Sequence, residues 1–305
     1  MSDTLDSMRR KIDGAGELRS VVSTMKALAA ASIGQYERAV HSLADYYRTI
    51  ELGLTACLRD TDDFPVMDSA PSTDRSTTGA IVFGSDEGLV GQFNEVLAEF
   101  VAKTLRGLPG RLTLWAVGER MQSRLGDAGM VPAAMFAVPN SVHAITPLVG
   151  QILMEAEAQR PLERPVRILL FHNRPLSSAT YEPVTQCLLP LDETWRSRLR
   201  NAPWPTTNLP EMMDSSRSTL LALVREYLFV SIFRACAESL ASENASRLIA
   251  MQRAEKNIDE LLEDLGRSFH RLRQSSIDEE LFDVVSGFEA FGTEGFRAKC
   301  RITGK

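Results

Sequence analysis

The chain has 305 residues, enough for one large domain or two smaller ones with real cores. Its apolar fraction of 44% and charged fraction of 24% exclude wholesale disorder, and a net charge of −6 argues against a dedicated nucleic-acid binder. The four cysteines, Cys57, Cys187, Cys236 and Cys300, lie far apart without a CxxC pair and read as buried or incidental thiols in a reducing compartment. Met1 leads into polar Ser2-Asp3-Thr4, which predicts no secretory signal. The most apolar helical stretch, Tyr227 to Phe233, ends at Arg234 and is too short to span a bilayer, so any membrane association runs through a partner.

Residues 1–60 lack proline and read as one long helix, running from about Thr4 to Arg59. The run Ala27-Leu-Ala-Ala-Ala-Ser32 has high helix propensity, and its small side chains let a second helix approach closely. Gly14, Gly16 and Gly34 each weaken a helix by roughly 1 kcal/mol relative to alanine, so an irregular start or a bend is expected. Asp60 to Thr78, with Pro65 and Pro71, reads as a linker.

At Gly79 the period changes, and residues 78–195 read as a small Rossmann-like α/β domain. Apolar runs at Gly79–Phe83, Leu112–Val117 and Val166–Phe171 have the length of strands buried on both faces. Helical stretches lie between them at Gly91–Leu105, Glu119–Leu125 and Ile145–Ala158, as in an alternating α/β sheet. Thr185–Leu191 adds a candidate edge strand. Asn201 to Glu211 carries Pro203, Pro205 and Pro210, a stiff connection.

Residues 211–287 contain no proline and one internal glycine, Gly266, and predict a single helix of about 75 residues, on the order of 110 Å long. A helix of that length cannot fold inside its own core. Ile258, Leu261, Leu262, Leu265, Phe269 and Leu272 form a narrow apolar stripe with charged residues on the other faces, the pattern of a coiled-coil seam. The first helix is the natural partner, antiparallel because a whole domain separates the two. The fold class is therefore α/β with a long antiparallel coiled coil of the terminal helices, a shaft rather than a pocket. Residues 288–305 read as a flexible basic tail.

Few motifs carry chemistry. Gly84-Ser-Asp-Glu-Gly88-Leu-Val-Gly91 follows a strand and precedes a helix, where nucleotide-binding glycines sit. Its spacing is not GxGxxG, and no GxxxxGK[ST] occurs, so a tight turn is the preferred reading. His41, His143, His172 and His270 show no metal spacing and read as surface or satisfied residues. No Gly-x-Ser-x-Gly elbow is present. No catalytic, cofactor or metal site emerges. In Glu238 to Met251 small residues crowd one side, and Glu243 and Arg247 form an i, i+4 pair. On spacing alone this is an exposed helix-stabilising pair.

Several blocks resemble the gamma subunit of F-type ATP synthases. Leu240-Ala-Ser-Glu-Asn-Ala-Ser-Arg-Leu-Ile-Ala-Met251 is similar to a block of the type LASExAARMxAM, followed by Asn257-Ile-Asp-Glu-Leu-Leu262. Arg273 to Leu281 and Val284-Val-Ser-Gly287 resemble the closing signature RQAxITxEL…IVSGA. Met8-Arg-Arg-Lys-Ile12, Thr24-Met-Lys-Ala-Leu-Ala-Ala-Ala-Ser32 and Ser85-Asp-Glu-Gly-Leu-Val-Gly-Gln-Phe-Asn94 resemble RRRI, KAMKMVAAS and SDRGLCGGFN. The similarity covers nearly the whole chain in order.

The resemblance implies a non-catalytic central rotor that couples ion translocation to ATP synthesis or hydrolysis by rotation, a mechanical form of population shift. It implies partners in the alpha and beta subunits of the head, the epsilon subunit and the membrane c-ring, no cofactor, and a place at the cytoplasmic face of a bacterial plasma membrane. It also implies that Met25, Lys26, Glu243, Arg247 and Gln274 meet the surrounding ring, and that Phe282, Val284 and Val285 turn in an apolar bearing. Ser20 to Thr24 replace a usual basic stretch, Asp278 a usual threonine and Phe288 a usual alanine. These departures suggest an alternative bacterial branch, some members of which move sodium ions. Chloroplast relatives carry a close cysteine pair as a redox switch; without one, no thiol regulation is expected. Two rivals remain at this level: a nucleotide- or NAD-dependent α/β enzyme with a coiled-coil dimerisation arm, and a free-standing coiled-coil scaffold.

Overall fold

A computed structural model describes residues 4–60, 77–158, 166–177, 180–191, 193–208 and 216–300. The elements run α1 (Leu5–Asp60), β1 (Thr77–Phe83), α2 (Phe93–Leu105), β2 (Arg111–Val117), α3 (Glu119–Asp127) and β3 (Ala134–Phe136). They continue with α4 (Val142–Ala158), β4 (Val166–Ser177), β5 (Thr180–Leu189), α5 (Glu193–Arg200) and α6 (Ser216–Cys300). The helix α1 passes unbroken through Gly14, Gly16 and Gly34, where an irregular start or a bend is expected from the sequence. The helix α6 extends to Cys300, past Gly287, so most of the stretch expected as a flexible tail is helical. Of the expected linkers Asp60–Thr78 and Asn201–Glu211, residues 61–76 and 209–211 lie outside the described residues, as do 212–215 at the expected start of the last helix.

The chain divides into two compact units, Lys26–Ala250 and the pair Met1–Met25 with Met251–Lys305. This boundary cuts through both long helices rather than falling at the linkers.

In the larger unit the sheet has the order β3-β2-β1-β4-β5. Strands β1 to β4 are parallel and β5 closes the edge antiparallel to β4. All seven residues of β1 are buried, as its apolar run predicts. One face, with Val82, Ala116 and Phe171, packs against α2 and α3 through Leu97, Val101, Met121 and Leu125. The other face, with Phe83, Trp115 and Leu170, packs against α4, Tyr36 of α1 and Ile232 to Ala241 of α6. A third cluster joins Ile50, Leu54 and Leu58 of α1 to Leu220, Val224 and Tyr227 of α6, with Leu199 of α5. Later residues of α1 thus meet earlier residues of α6, and the helices run antiparallel. The Tyr46 hydroxyl donates to Glu226 at 2.9 Å in the same register.

In the smaller unit Met8 and Ala15 of α1 are buried, and Arg19 pairs with Asp259 of α6 at 2.6 Å. Ile258, Leu262, Leu265, Phe269 and Leu272 are half-buried, alternating steps of four and three as a heptad seam requires. Leu261 departs from the expected stripe: it is 49% exposed, because a heptad seam has no place for both of two adjacent residues.

Candidate functional site

The block Ala235–Ser246 of α6 is buried at every position. A helix surrounded on all sides needs small or satisfied side chains on each face, and Ala235, Cys236, Ala237, Ala241 and Ala245 supply the apolar part. Ser239, Ser242 and Ser246, spaced i, i+3, i+7, supply the polar part. Their hydroxyls donate to the carbonyls of Phe83 at the end of β1, of Asn173 in β4 at 3.0 Å, and of Val90 in the loop after β1. In open α/β sheets ligands bind beyond the C-terminal strand ends where the order reverses, here between β1 and β4. That place is filled by α6.

The glycine-bearing loop after β1 is built to hold the fold together. Asp86 accepts from the backbone N–H of Glu119, the first residue of α3, at 3.0 Å and from Val138 N–H at 2.8 Å. The Asn94 side chain accepts from Ser85 N–H at 3.0 Å and donates to its hydroxyl at 2.8 Å. Gly91 takes φ +59, the turn conformation that the sequence reading preferred over a phosphate cradle. The facing residue Gly118 takes φ +109, and a Cβ there would stand 2.6 Å from the Ser85 carbonyl oxygen. Both carboxylate oxygens of Asp86 are thereby committed to backbone N–H groups, and the Ser85 amide to the Asn94 side chain.

Glu243 and Arg247 are brought together at 2.7 Å, with only 7% and 15% of their side chains exposed. The solvated pair expected from the i, i+4 spacing is therefore buried. The reason is its address: the small residues around it let the sheet and α1 close over it. Glu243 Oε2 and Arg247 Nε have no hydrogen-bond partner. Burial pushes the Glu243 carboxyl up to about 6; Arg247 opposes the shift, while Asp86 and Glu87 add to it. Burial, with Glu243 next in effect, also raises the Tyr36 phenol on the facing helix.

One turn earlier Glu238 is buried between His172 Nε2 at 2.9 Å and Arg234 Nε at 2.7 Å. Burial alone would raise this carboxyl, but the hydrogen bonds from His172 and Arg234 outweigh it and hold Glu238 below its usual range. Neither this triad nor the serine ladder is visible from single motifs; the i, i+3, i+7 serine spacing among alanines is the signal that points to them.

The other sequence-predicted residues differ in setting. Met25 and Lys26 are half-buried and Gln274 is exposed. Phe282, Val284 and Val285 are exposed at 74%, 61% and 49%, an apolar surface uncovered within the chain. Among the described residues no three His, Cys, Asp or Glu side chains gather as metal ligands, and no helix is long and apolar enough to cross a membrane.

Residues 4–291 match the family model described as ATP synthase. The chain is 26% identical to an ATP synthase gamma chain of Bacteroides fragilis, over 93% of this chain and 98% of the relative. It is 27% identical to that of Anaeromyxobacter sp. strain K, over 94% and 99%. Among solved structures it superposes on a chain of the Euglena gracilis mitochondrial ATP synthase rotor with a TM-score of 0.59 at 15% identity, covering 90% of this chain and 98% of the other. A chain of the Tetrahymena thermophila mitochondrial ATP synthase central stalk and c-ring gives 0.54 at 18% identity, covering 77% and 99%.

Proposed function

Because the chain belongs to the ATP synthase family, as one of its gamma chains, we propose that it works as the non-catalytic central-stalk rotor of an F-type ATP synthase. Rotation of this subunit couples ion translocation through the membrane ring to ATP synthesis or hydrolysis in the head. Its partners are the alpha and beta subunits of the head, the epsilon subunit and the c-ring. It is a peripheral subunit of a membrane-bound complex, and we assign that complex to the cytoplasmic face of a bacterial plasma membrane.

The observation that carries this reading is the filled switch point. A nucleotide-dependent enzyme on this sheet needs an open crevice at the ends of β1 and β4. In this chain Ser239 and Ser242 of α6 bond the Phe83 carbonyl at the end of β1 and the Asn173 carbonyl within the neighbouring β4. The α/β domain is therefore a mount for the helix, not a cofactor site.

The proposed ring-facing set is Met25, Lys26, Glu243, Arg247 and Gln274, of which the Glu243–Arg247 pair is largely covered within the chain itself. Phe282, Val284 and Val285 form the proposed bearing surface, where apolar contact without directional bonds offers little resistance to turning. Copurification from the native host tests the assignment: the tagged chain should bring down alpha, beta and epsilon subunits in stoichiometric amounts. Recovery of the chain alone, or as a dimer that retains nucleotide, would overturn it.

A further inference from the structure

Beside the Glu238 triad lies a cavity of about 270 Å³ between α1, the β4–β5 pair and α6. Its lining includes Arg174, Arg234, His172, Ser231, Thr185 and Gln186. We propose that this cavity is a binding site for a tetrahedral oxyanion, a phosphate group.

Four features converge on that ligand. First, two guanidinium groups, from β4 and α6, line one small space, and a guanidinium fork matches phosphate oxygens. Second, each arginine is steadied by one carboxylate and keeps further donors: Arg234 uses Nε on Glu238, and Arg174 uses Nη2 on Glu182. Third, the carboxylate that lines the cavity, Glu238, has both oxygens engaged, one by Arg234 and one by His172, so its charge is already answered. Fourth, the Ser231 hydroxyl and His172 Nδ1 are buried without any hydrogen-bond partner, although Ser231 is only 2% and His172 only 3% exposed. Buried polar groups are ordinarily satisfied. Two orphans among the lining residues of one cavity point to a ligand that satisfies both: a phosphate oxygen accepts from the Ser231 hydroxyl, and a P–OH donates to His172 Nδ1, the lone-pair nitrogen once Nε2 donates to Glu238. The cavity volume holds one such oxyanion with a few waters.

The source of the phosphate is either the free ion or the terminal phosphate of a nucleotide. Calorimetric titration of the purified full-length chain with inorganic phosphate, with ADP and with adenosine separates them. Saturable one-to-one phosphate binding is expected, with no heat from adenosine. Tighter binding of phosphate than of ADP identifies the free ion, and the reverse order identifies the nucleotide. Arg174→Gln, at a half-exposed side chain outside the buried triad, should weaken binding about tenfold. Ser231→Ala should weaken it about threefold. Arg198→Gln, on α5, should leave it unchanged. The proposal is overturned if wild-type chain shows no saturable phosphate binding, if Arg174→Gln and Ser231→Ala bind as wild type does, or if Arg198→Gln weakens binding as much as Arg174→Gln.

Discussion

Two stretches of the same helix are treated in opposite ways. From Ala235 to Ser246 α6 is enclosed, and its polar atoms are directed at named carbonyls of the sheet. From Leu281 to Val285 it presents large apolar side chains to solvent and no such bonds. The first stretch is fixed in register, because each serine has one acceptor at one distance. The second has no register of its own, because apolar contact is non-directional. The proposed rotor needs both: a grip that does not slip and an apolar end that meets its ring without directional bonds.

The largest effect should come from the grip. Gly118→Ala places a Cβ against the Ser85 backbone at a φ that disfavours any side chain, and backbone cannot yield as a flexible side chain can. A loss of about 3 kcal/mol or more is expected, read as a lowered denaturation midpoint. A midpoint within error of wild type would mean that the loop after β1 does not brace α3 and α6.

Arg247→Ala should follow. It strands the buried Glu243 carboxylate, a loss of about 3 kcal/mol at pH 8 that shrinks in acid, because Glu243 can take up a proton instead. The sign follows from the shift itself. The folded carboxyl titrates near 6, above its ordinary 4.5, so the folded state holds this proton more tightly than the unfolded chain does. Stability from Glu243 is therefore greatest below 4.5 and falls by about 2 kcal/mol as the pH rises through 6. Glu238 acts oppositely: its contribution is present above 4.5 and is lost as the pH falls through its lowered folded value. Removing Arg247 should carry the Glu243 decline to higher pH, measurable in urea titrations at a series of pH values. An unchanged pH profile would place the pair in solvent after all.

The smallest effect on stability belongs to the free end. Phe282→Ala should leave the chain's stability within about 0.5 kcal/mol, since the side chain is 74% exposed. The same substitution should reduce assembly with the head subunits. A large destabilisation of the isolated chain would show that this residue is packed within it, erasing the contrast.

How far this contrast was legible in the sequence depends on the kind of signal. The three apolar runs ending at Phe83, Val117 and Phe171 have strand length and flanking turns; β1 and β2 follow theirs closely, while β4 runs on past Phe171 to Ser177. The strand Ala134–Phe136 has three half-exposed or exposed residues and leaves no periodic trace, and α5, eight residues with three arginines and a glutamate, is held by buried Leu199 and by Trp195 against Tyr227 rather than by an apolar stripe. The ion pair was visible but its burial was not, because i, i+4 spacing is the same whether solvent or a sheet lies beyond it. The alanines and serines on every face of Ala235–Ser246 carried that information, since only an enclosed helix can use small residues all round. Leu261 shows the converse: its apolarity places it in the stripe, while the heptad geometry of its neighbours excludes it.

The central claim concerns motion. The most direct test immobilises the assembled head by its beta subunits, attaches a visible rod to this chain through Cys187, which is exposed, and supplies ATP. The account predicts continuous one-way rotation of the rod, stopped by a crosslink between this chain and the head. ATP hydrolysis at full rate with the rod stationary would contradict it.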